Sequence, residues 1–229
     1  MQKQAIIVFG PPGAGKGTQS ELLSDKLGLY NFETSGIIQK KISGAQKGDF
    51  IEVDGEKYFF EKEKEIASAG KLWDPPFVIY FVNKKIEELA AEDRSIVFSS
   101  SPRTLYEIEH MVPLLEKLYK KDNIKIILLE VSTETTIFRN SNRKRCELLR
   151  HPILFNDETK NLTICPLDGS KLFQRDDDNA ETAKVRIKEY VERTLPMKEY
   201  LEKTKYKIHT ISGEQSVADV FKDILAAIE

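Results

Sequence analysis

Residues 5–27 constrain the fold more than any other part of the chain. An apolar run, Ala5-Ile6-Ile7-Val8-Phe9, leads into Gly10-Pro11-Pro12-Gly13-Ala14-Gly15-Lys16-Gly17-Thr18 and then into an amphipathic pattern over 19–27. Strand, glycine-rich turn and helix in that order build a phosphate cradle. The glycines let successive backbone N–H groups turn towards an anion, the helix N-terminus adds the positive end of its dipole, and Lys16 reaches the outer oxygens of a polyphosphate. Gly13, Ala14, Gly15, Lys16, Gly17 and Thr18 are therefore candidate phosphate-binding residues. A cradle of this kind sits at the end of a buried strand, which points to an α/β fold.

The rest of the chain agrees. Strand-like runs recur at 95–98, 125–131 and, more weakly, 206–211, and helical patterns cover 15–27, 76–92, 104–120, 180–204 and 216–228. Strands alternating with helices predict a doubly wound parallel sheet. Two stretches break the alternation. Residues 41–74 are strongly polar, with Asp54-Gly55 between two short β-like runs, which predicts a hairpin followed by a helix to Ala69. Residues 140–178 hold both cysteines, Asp168-Gly169 and three consecutive aspartates, again in the manner of small hairpins. Insertions of this size are often lids or binding loops, and 229 residues suffice for one core carrying both.

The 35 basic and 37 acidic residues nearly cancel, which argues against a nucleic-acid binder held by a broad positive field. No apolar run approaches the roughly 20 residues of a membrane span, and the opening Met-Gln-Lys-Gln leads straight into a core strand, so the expectation is a cytoplasmic protein without a membrane partner. Cys146 and Cys165 are then expected as thiols or metal ligands rather than a disulfide.

The placing of the hydroxyl at Thr18, one residue after Gly17, resembles the adenylate kinase branch of the nucleoside monophosphate kinases. Four further stretches carry the resemblance. Pro102-Arg103-Thr104 matches the end of the family's Asp-Gly-Phe-Pro-Arg-Thr, and Gly70-Lys71-Leu72-Trp73-Asp74 is similar to its Gly-Lys-Leu-Val-x-Asp. Arg139 and Arg143, four residues apart and so expected on one helix face, resemble its lid entry, and Gln174-Arg175-Asp176-Asp177-Asp178 with Arg186 its lid exit. The likeness spans residues 5–40, 66–108 and 125–213.

It implies a P-loop core (1–34, 75–138 and 179–229) with two mobile flaps, an acceptor flap (35–74) and an ATP lid (139–178). The implied reaction is reversible transfer of the γ-phosphoryl of MgATP to AMP, giving two ADP. Lys16, Arg103, Arg143, Arg175 and Arg186 would carry the catalytic charge, as phosphoryl transfer requires. Arg139 would stack on the ATP base, which meets the backbone near Gly213, and Asp177 and Asp178 would tie the arginines in place. The implied acceptor set is Ser35, Gly36, Lys40, Trp73, Ser100, Arg103 and Glu107, and a monomer is the family expectation. Taken singly, each arginine reads equally as a solvated surface residue, and Trp73 as a hinge or core residue.

The chain departs from the pattern in several places. Ser99-Ser100-Ser101 replaces Asp-Gly-Phe, so no carboxylate stands where the family holds the hydration shell of Mg²⁺; the metal's waters, the ATP oxygens and Thr18 are left to hold it. Lys40 replaces an arginine fork by a point charge, and Ile37 replaces an aspartate. Glu107 stands where adenylate kinases use a glutamine to donate to adenine N1 and accept from N6. A carboxylate cannot donate, whereas guanine offers it N1–H and N2–H₂. AMP is the first expectation, GMP or a pyrimidine monophosphate the alternative, and a nucleotide sensor without turnover the alternative of another class.

Many members hold a structural Zn²⁺ in the lid through Cys-x₂-Cys and a second such pair, or Cys-x₂-Asp. Here Cys146 and Cys165-x₂-Asp168 fit, while Leu149 stands in place of the second cysteine and His151 follows two residues later. Cys146, His151, Cys165 and Asp168 make a tetrahedral donor set for Zn²⁺. The alternative reading is two small buried thiols in a lid held by packing.

Overall fold

A computed structural model describes residues 3–69, 71–149, 152–174 and 179–229. β1 (Ala5–Phe9) is buried along its whole length and passes through the glycine loop into α1 (Lys16–Leu27). β2 (Tyr30–Phe32) and α2 (Thr34–Gly44) follow, then the hairpin β3 (Phe50–Val53) and β4 (Glu56–Phe59), α3 (Phe60–Ser68) and α4 (Pro75–Ala91). Next come β5 (Ile96–Phe98), α5 (Leu105–Tyr119), β6 (Ile124–Glu130) and α6 (Thr133–Ser141). Three short strands, β7 (Lys144–Cys146), β8 (Pro152–Ile153) and β9 (Leu172–Phe173), precede α7 (Ala180–Glu189), α8 (Pro196–Lys203), β10 (Ile208–Ser212) and α9 (Val217–Ile228).

Five strands form one sheet in the order β10-β6-β1-β5-β2, and every pairing in it is parallel. β1 is central, with Ile7 opposite both Phe98 and Ile126. The pleat divides β1 between two cores. Ala5, Ile7 and Phe9 join Phe98, Leu128, Phe77, Ile108 and Met197 on one face, while Ile6 and Val8 join Val97, Leu129, Leu23, Val220 and Ile224 on the other. A strand covered on both faces reads as an unbroken apolar run, which is why β1, β5 and β6 were legible in the sequence. Two small antiparallel sheets, β3–β4 and β8-β7-β9, stand apart from the main one.

The fold corrects the expected helices in one place and adds to them in others. The single helix expected over 180–204 is interrupted by a π-type turn over Tyr190–Thr194, where the Leu195 N–H reaches back to the Tyr190 carbonyl at 2.8 Å. Pro196 explains it. Its ring has no N–H to give and would clash with the carbonyl four residues earlier, so the preceding turn widens. β2, α2 and the start of α6 were not anticipated. β2 has only three residues, too few for a period, and α6 is built from Thr-Glu-Thr-Thr-Ile-Phe-Arg-Asn-Ser, whose β-branched and short polar side chains are weak helix formers. Among the described residues no helix is long and apolar enough to cross a membrane.

Candidate active site

The cradle closes around the end of β1. Gly10 has φ 148°, and a Cβ there would lie 2.2 Å from the Leu129 carbonyl oxygen, so no other residue fits between β1 and β6. The Lys16 ammonium turns back over the loop and donates to the carbonyls of Gly10 and Pro11, both at 2.8 Å. Among the described residues no carboxylate pairs with it. Burial, followed by the positive charge of Arg103 and then of Arg143, lowers its pKa to about 7. Lys16, Arg103 and Arg143 thus converge from β1's loop, the end of β5 and the end of α6. Thr18, half-buried, lies in the first turn of α1.

Two further segments close on the loop. Arg139, on α6, donates to the Gly13 carbonyl at 3.2 Å. Gly213 follows β10; its N–H donates to the Glu130 carbonyl at 2.8 Å, and a Cβ there would stand 3.0 Å from the Ala14 carbonyl. Glu214, which the sequence reading passed over, fixes this segment: its carboxylate accepts from the Ser132 N–H and the Thr135 hydroxyl, both at 2.8 Å, and so ties the loop to the first turn of α6. The expectation that Arg139 and Arg143 share a helix face is corrected. α6 ends at Ser141 with Asn142 as its cap, and Arg143 stands in the turn before β7. Arg186 lies half-buried on α7, which packs along α6. Arg175, Asp177 and Asp178 lie outside the described residues.

On the other side of β1, the three serines join the end of β5 to the start of α2. Ser100 Oγ accepts from the Thr34 N–H at 3.2 Å, and the Thr34 hydroxyl donates to Ser101 Oγ at 2.8 Å, which pins the start of α2 to the end of β5. The Ser100 carbonyl also accepts from Arg103 Nε at 2.6 Å and sets the guanidinium's direction. Ser35, Gly36 and Lys40 all fall on α2, with Lys40 exposed. Trp73 is partly buried against the larger core, in the loop before α4.

Glu107 is only 2% exposed. Its carboxylate accepts from the Arg103 N–H at 2.8 Å and the Thr104 hydroxyl at 3.2 Å, while Thr104 caps α5 by accepting from the Glu107 N–H. This is a variant of the capping box, in which the carboxylate reaches the N–H of the residue before the cap rather than the cap's own, and a Thr-x-x-Glu spacing is its sequence signal. Glu63 on α3 was missed altogether. It is fully buried, its Oε2 accepts from the Asp74 N–H at 3.0 Å, and burial raises its pKa to about 7. In the run Glu-Lys-Glu-Lys-Glu nothing marks it off from its exposed neighbours.

Sequence comparison accords with this geometry. The family profile described as Adenylate kinase matches residues 8–206. The chain belongs to the adenylate kinase family. It is similar to the adenylate kinase of Petrotoga mobilis, 32% identical over 96% of this chain and 94% of that protein. It is 29% identical to those of Caldicellulosiruptor saccharolyticus, over 97% and 98% of the two chains, and Methanosarcina barkeri, over 98% of each. Membership makes the chain a phosphotransferase of the nucleoside monophosphate kinase class, with ATP and its Mg²⁺ on one side of the reaction and a nucleoside monophosphate on the other.

The donor set at the three-stranded sheet β8-β7-β9, the smaller sheet that carries both cysteines' segment, suits a cation. The ligand atoms of Cys146, Cys165 and Asp168 all lie within 4.8 Å of one another, with Cys146 Sγ 2.9 Å from Asp168 Oδ2. Both cysteines are buried thiols rather than halves of a disulfide. The turn that presents Cys165 and Asp168 is closed by the Gly169 N–H on the Cys165 carbonyl at 3.0 Å and by the Cys165 N–H on the Ser170 carbonyl at 2.7 Å. Two thiolates and a carboxylate are compatible with Zn²⁺. His151, the expected fourth ligand, lies outside the described residues. For Mg²⁺ the cradle offers the Thr18 hydroxyl, and Ser99, at the end of β5, offers a hydroxyl where the family has a carboxylate; these suit an ion that keeps most of its waters.

Proposed function

We propose that this chain transfers the γ-phosphoryl of MgATP to AMP, reversibly, giving two ADP. The observation that carries the reading is the convergence of Lys16, Arg103 and Arg143, close enough for two guanidiniums to depress the ammonium. So much positive charge on one spot is unfavourable by itself and favourable around a phosphoryl group in flight, whose transition state spreads negative charge over its oxygens. Arg103 holds the acceptor's α-phosphate, Lys16 the β- and γ-oxygens of the donor. Arg143, Arg175 and Arg186 close on the phosphates, Arg139 stacks on the donor base, and Gly213 meets that base through its backbone. Gly13, Ala14, Gly15, Gly17 and Thr18 cradle the donor phosphates; Ser35, Gly36, Lys40 and Ser100 border the acceptor. The acceptor phosphate is already a competent nucleophile, so no general base is required.

In this reading residues 35–74 are the acceptor flap and 139–178 the ATP lid, each closing on the core of 1–34, 75–138 and 179–229 to exclude water, whose attack would waste ATP. The smaller sheet holds a structural Zn²⁺ through Cys146, Cys165, Asp168 and His151, which would keep the lid in shape and take no part in the chemistry. The chain acts as a monomer in the cytoplasm.

GMP enters as a rival only through the carboxylate of Glu107, and both oxygens of that carboxylate already serve the start of α5. Coupled measurement of diphosphate formation from MgATP with AMP, GMP, CMP and UMP tests the reading. AMP should be the preferred acceptor. A GMP preference would overturn the assignment, and nucleotide binding without turnover would make the chain a sensor.

A further inference from the structure

We propose that the cavity between the start of α6 and the end of α7 binds a small organic cation, a protonated amine or an amidinium on an apolar body, through the carboxylate of Glu130 and the hydroxyl of Thr136. The cavity measures about 450 Å³, within the range that small-molecule sites occupy. Pro11 of the glycine loop forms part of its wall, whereas Lys16, Arg103 and Arg139 do not. Binding here requires neither ATP nor a monophosphate, so the site stands apart from the choice of acceptor.

The wall sorts by chemistry. Pro11, Val131, Ile187 and Val191 make part of it apolar. Glu130 and Glu214 add two carboxylates, and among the described residues none that lines the cavity carries a positive charge. Glu214 is already engaged by the Ser132 N–H and the Thr135 hydroxyl. Glu130, the last residue of β6, is paired with Ser212 through the sheet, and among the described residues its carboxylate has neither a hydrogen bond nor an ion pair. Thr136 gives a second, independent sign. It lines the cavity, is only 1% exposed, and its hydroxyl has no hydrogen-bond partner. A helical threonine ordinarily turns that hydroxyl onto a carbonyl three or four residues back, and this one does not. Buried hydroxyls are seldom left unpaired. Tyr190, in the π-type turn, lines the cavity too; burial, and then the charge of Glu130, push its phenol up to about 12, so it stays protonated. An anion would meet two carboxylates here, and a purely apolar molecule would leave Glu130 and Thr136 unused. A cation bearing N–H donors on an apolar body uses the charge, the hydroxyl and the wall together.

The test uses three molecules of one shape and different charge, benzamidine, benzamide and benzoate, titrated into the full chain without nucleotide and followed by NMR amide shifts. Benzamidine should bind in the millimolar range or tighter and move amides within 130–136 and 187–191. Benzamide should bind about tenfold more weakly, and benzoate more weakly still. Glu130→Gln should weaken benzamidine about tenfold. Thr136→Val, which keeps the shape and removes the hydroxyl, should weaken it about threefold or more. Neither residue belongs to the phosphate-binding set, so turnover at the wild-type rate serves to show that both variants fold. Shifts confined to other parts of the chain, equal affinity for benzamide and benzamidine, or unchanged affinity for benzamidine in either variant would each overturn the proposal. Absence of benzamidine binding up to about 10 mM would do the same. Should Thr136→Val fail to fold, Glu130→Gln and the comparison of the three molecules decide.

Discussion

Lys16 illustrates how a single residue can register its ligand. Its ammonium is held down to about pH 7 by burial and by Arg103 and Arg143, so above neutral pH the unliganded lysine is largely deprotonated. A polyphosphate reverses the sign of the local field and raises that pKa, so binding takes up a proton wherever the free lysine lacks one. Titration calorimetry of ATP in buffers of different ionisation enthalpy should show uptake approaching one proton per chain at pH 8 and close to none at pH 6. Equal heats in all buffers at pH 8 would sink the account. The same sign makes folding of the unliganded chain gain from this group as pH rises from 7 towards 10.5, because only the unfolded lysine then holds its proton. Gly10 gives a steric counterpart. Gly10→Ala places a Cβ 2.2 Å from the Leu129 oxygen at a φ of 148°, and should cost roughly 2–4 kcal/mol in urea denaturation. A loss under about 0.5 kcal/mol would mean that β1 and β6 part easily.

At the scale of elements, the junction of α3 and α4 should respond to pH. Burial raises Glu63 to about 7 from an ordinary 4.5, while the Asp74 N–H draws it down and the Asp74 carboxylate pushes it up again. The folded state therefore holds this proton more tightly than the unfolded state, and the stability it brings is present below pH 4.5 and lost as pH rises through 7. Glu63→Gln should hold its melting temperature better than the wild type between pH 5 and 8, and parallel curves would refute the assignment. Sequence reached some of these elements and not others, for reasons that can be named. The hairpin was legible because Asp54 and Gly55 both take positive φ, 53° and 83°, and few dipeptides do so cheaply. The spacing of Arg139 and Arg143 misled because it assumes a helix that continues, whereas α6 stops at Ser141. Glu63 was invisible, since a Glu-Lys run carries no sign of which carboxylate the hairpin and α4 will cover. Glu107 was singled out along the chain, but its partners, Arg103 and Thr104, are set by how α5 begins.

For the whole molecule, the sheet order separates the two sets of residues proposed for the donor and the acceptor. β6 and β10, on one side of β1, lead to Arg139 and Gly213; β5 and β2, on the other, lead to Arg103 and α2. The smaller sheet shares no strand with this core, so losing a bound metal should be a local event. Purified protein should carry about one zinc per chain. Chelation, or Cys146→Ser, should speed amide exchange over residues 144–173 while β1 and β6 stay protected. Loss of protection throughout the main sheet would show instead that the cysteine cluster supports the entire fold.

The hairpin β3–β4 ends where it begins: the Phe60 N–H meets the Asp49 carbonyl at 3.1 Å. A segment whose two ends are already joined can grow or shrink without moving the points from which it springs. The reach of this hairpin, and with it the choice of what the hairpin touches, is thus open to evolutionary change by insertion, at little risk to the residues gathered around Lys16.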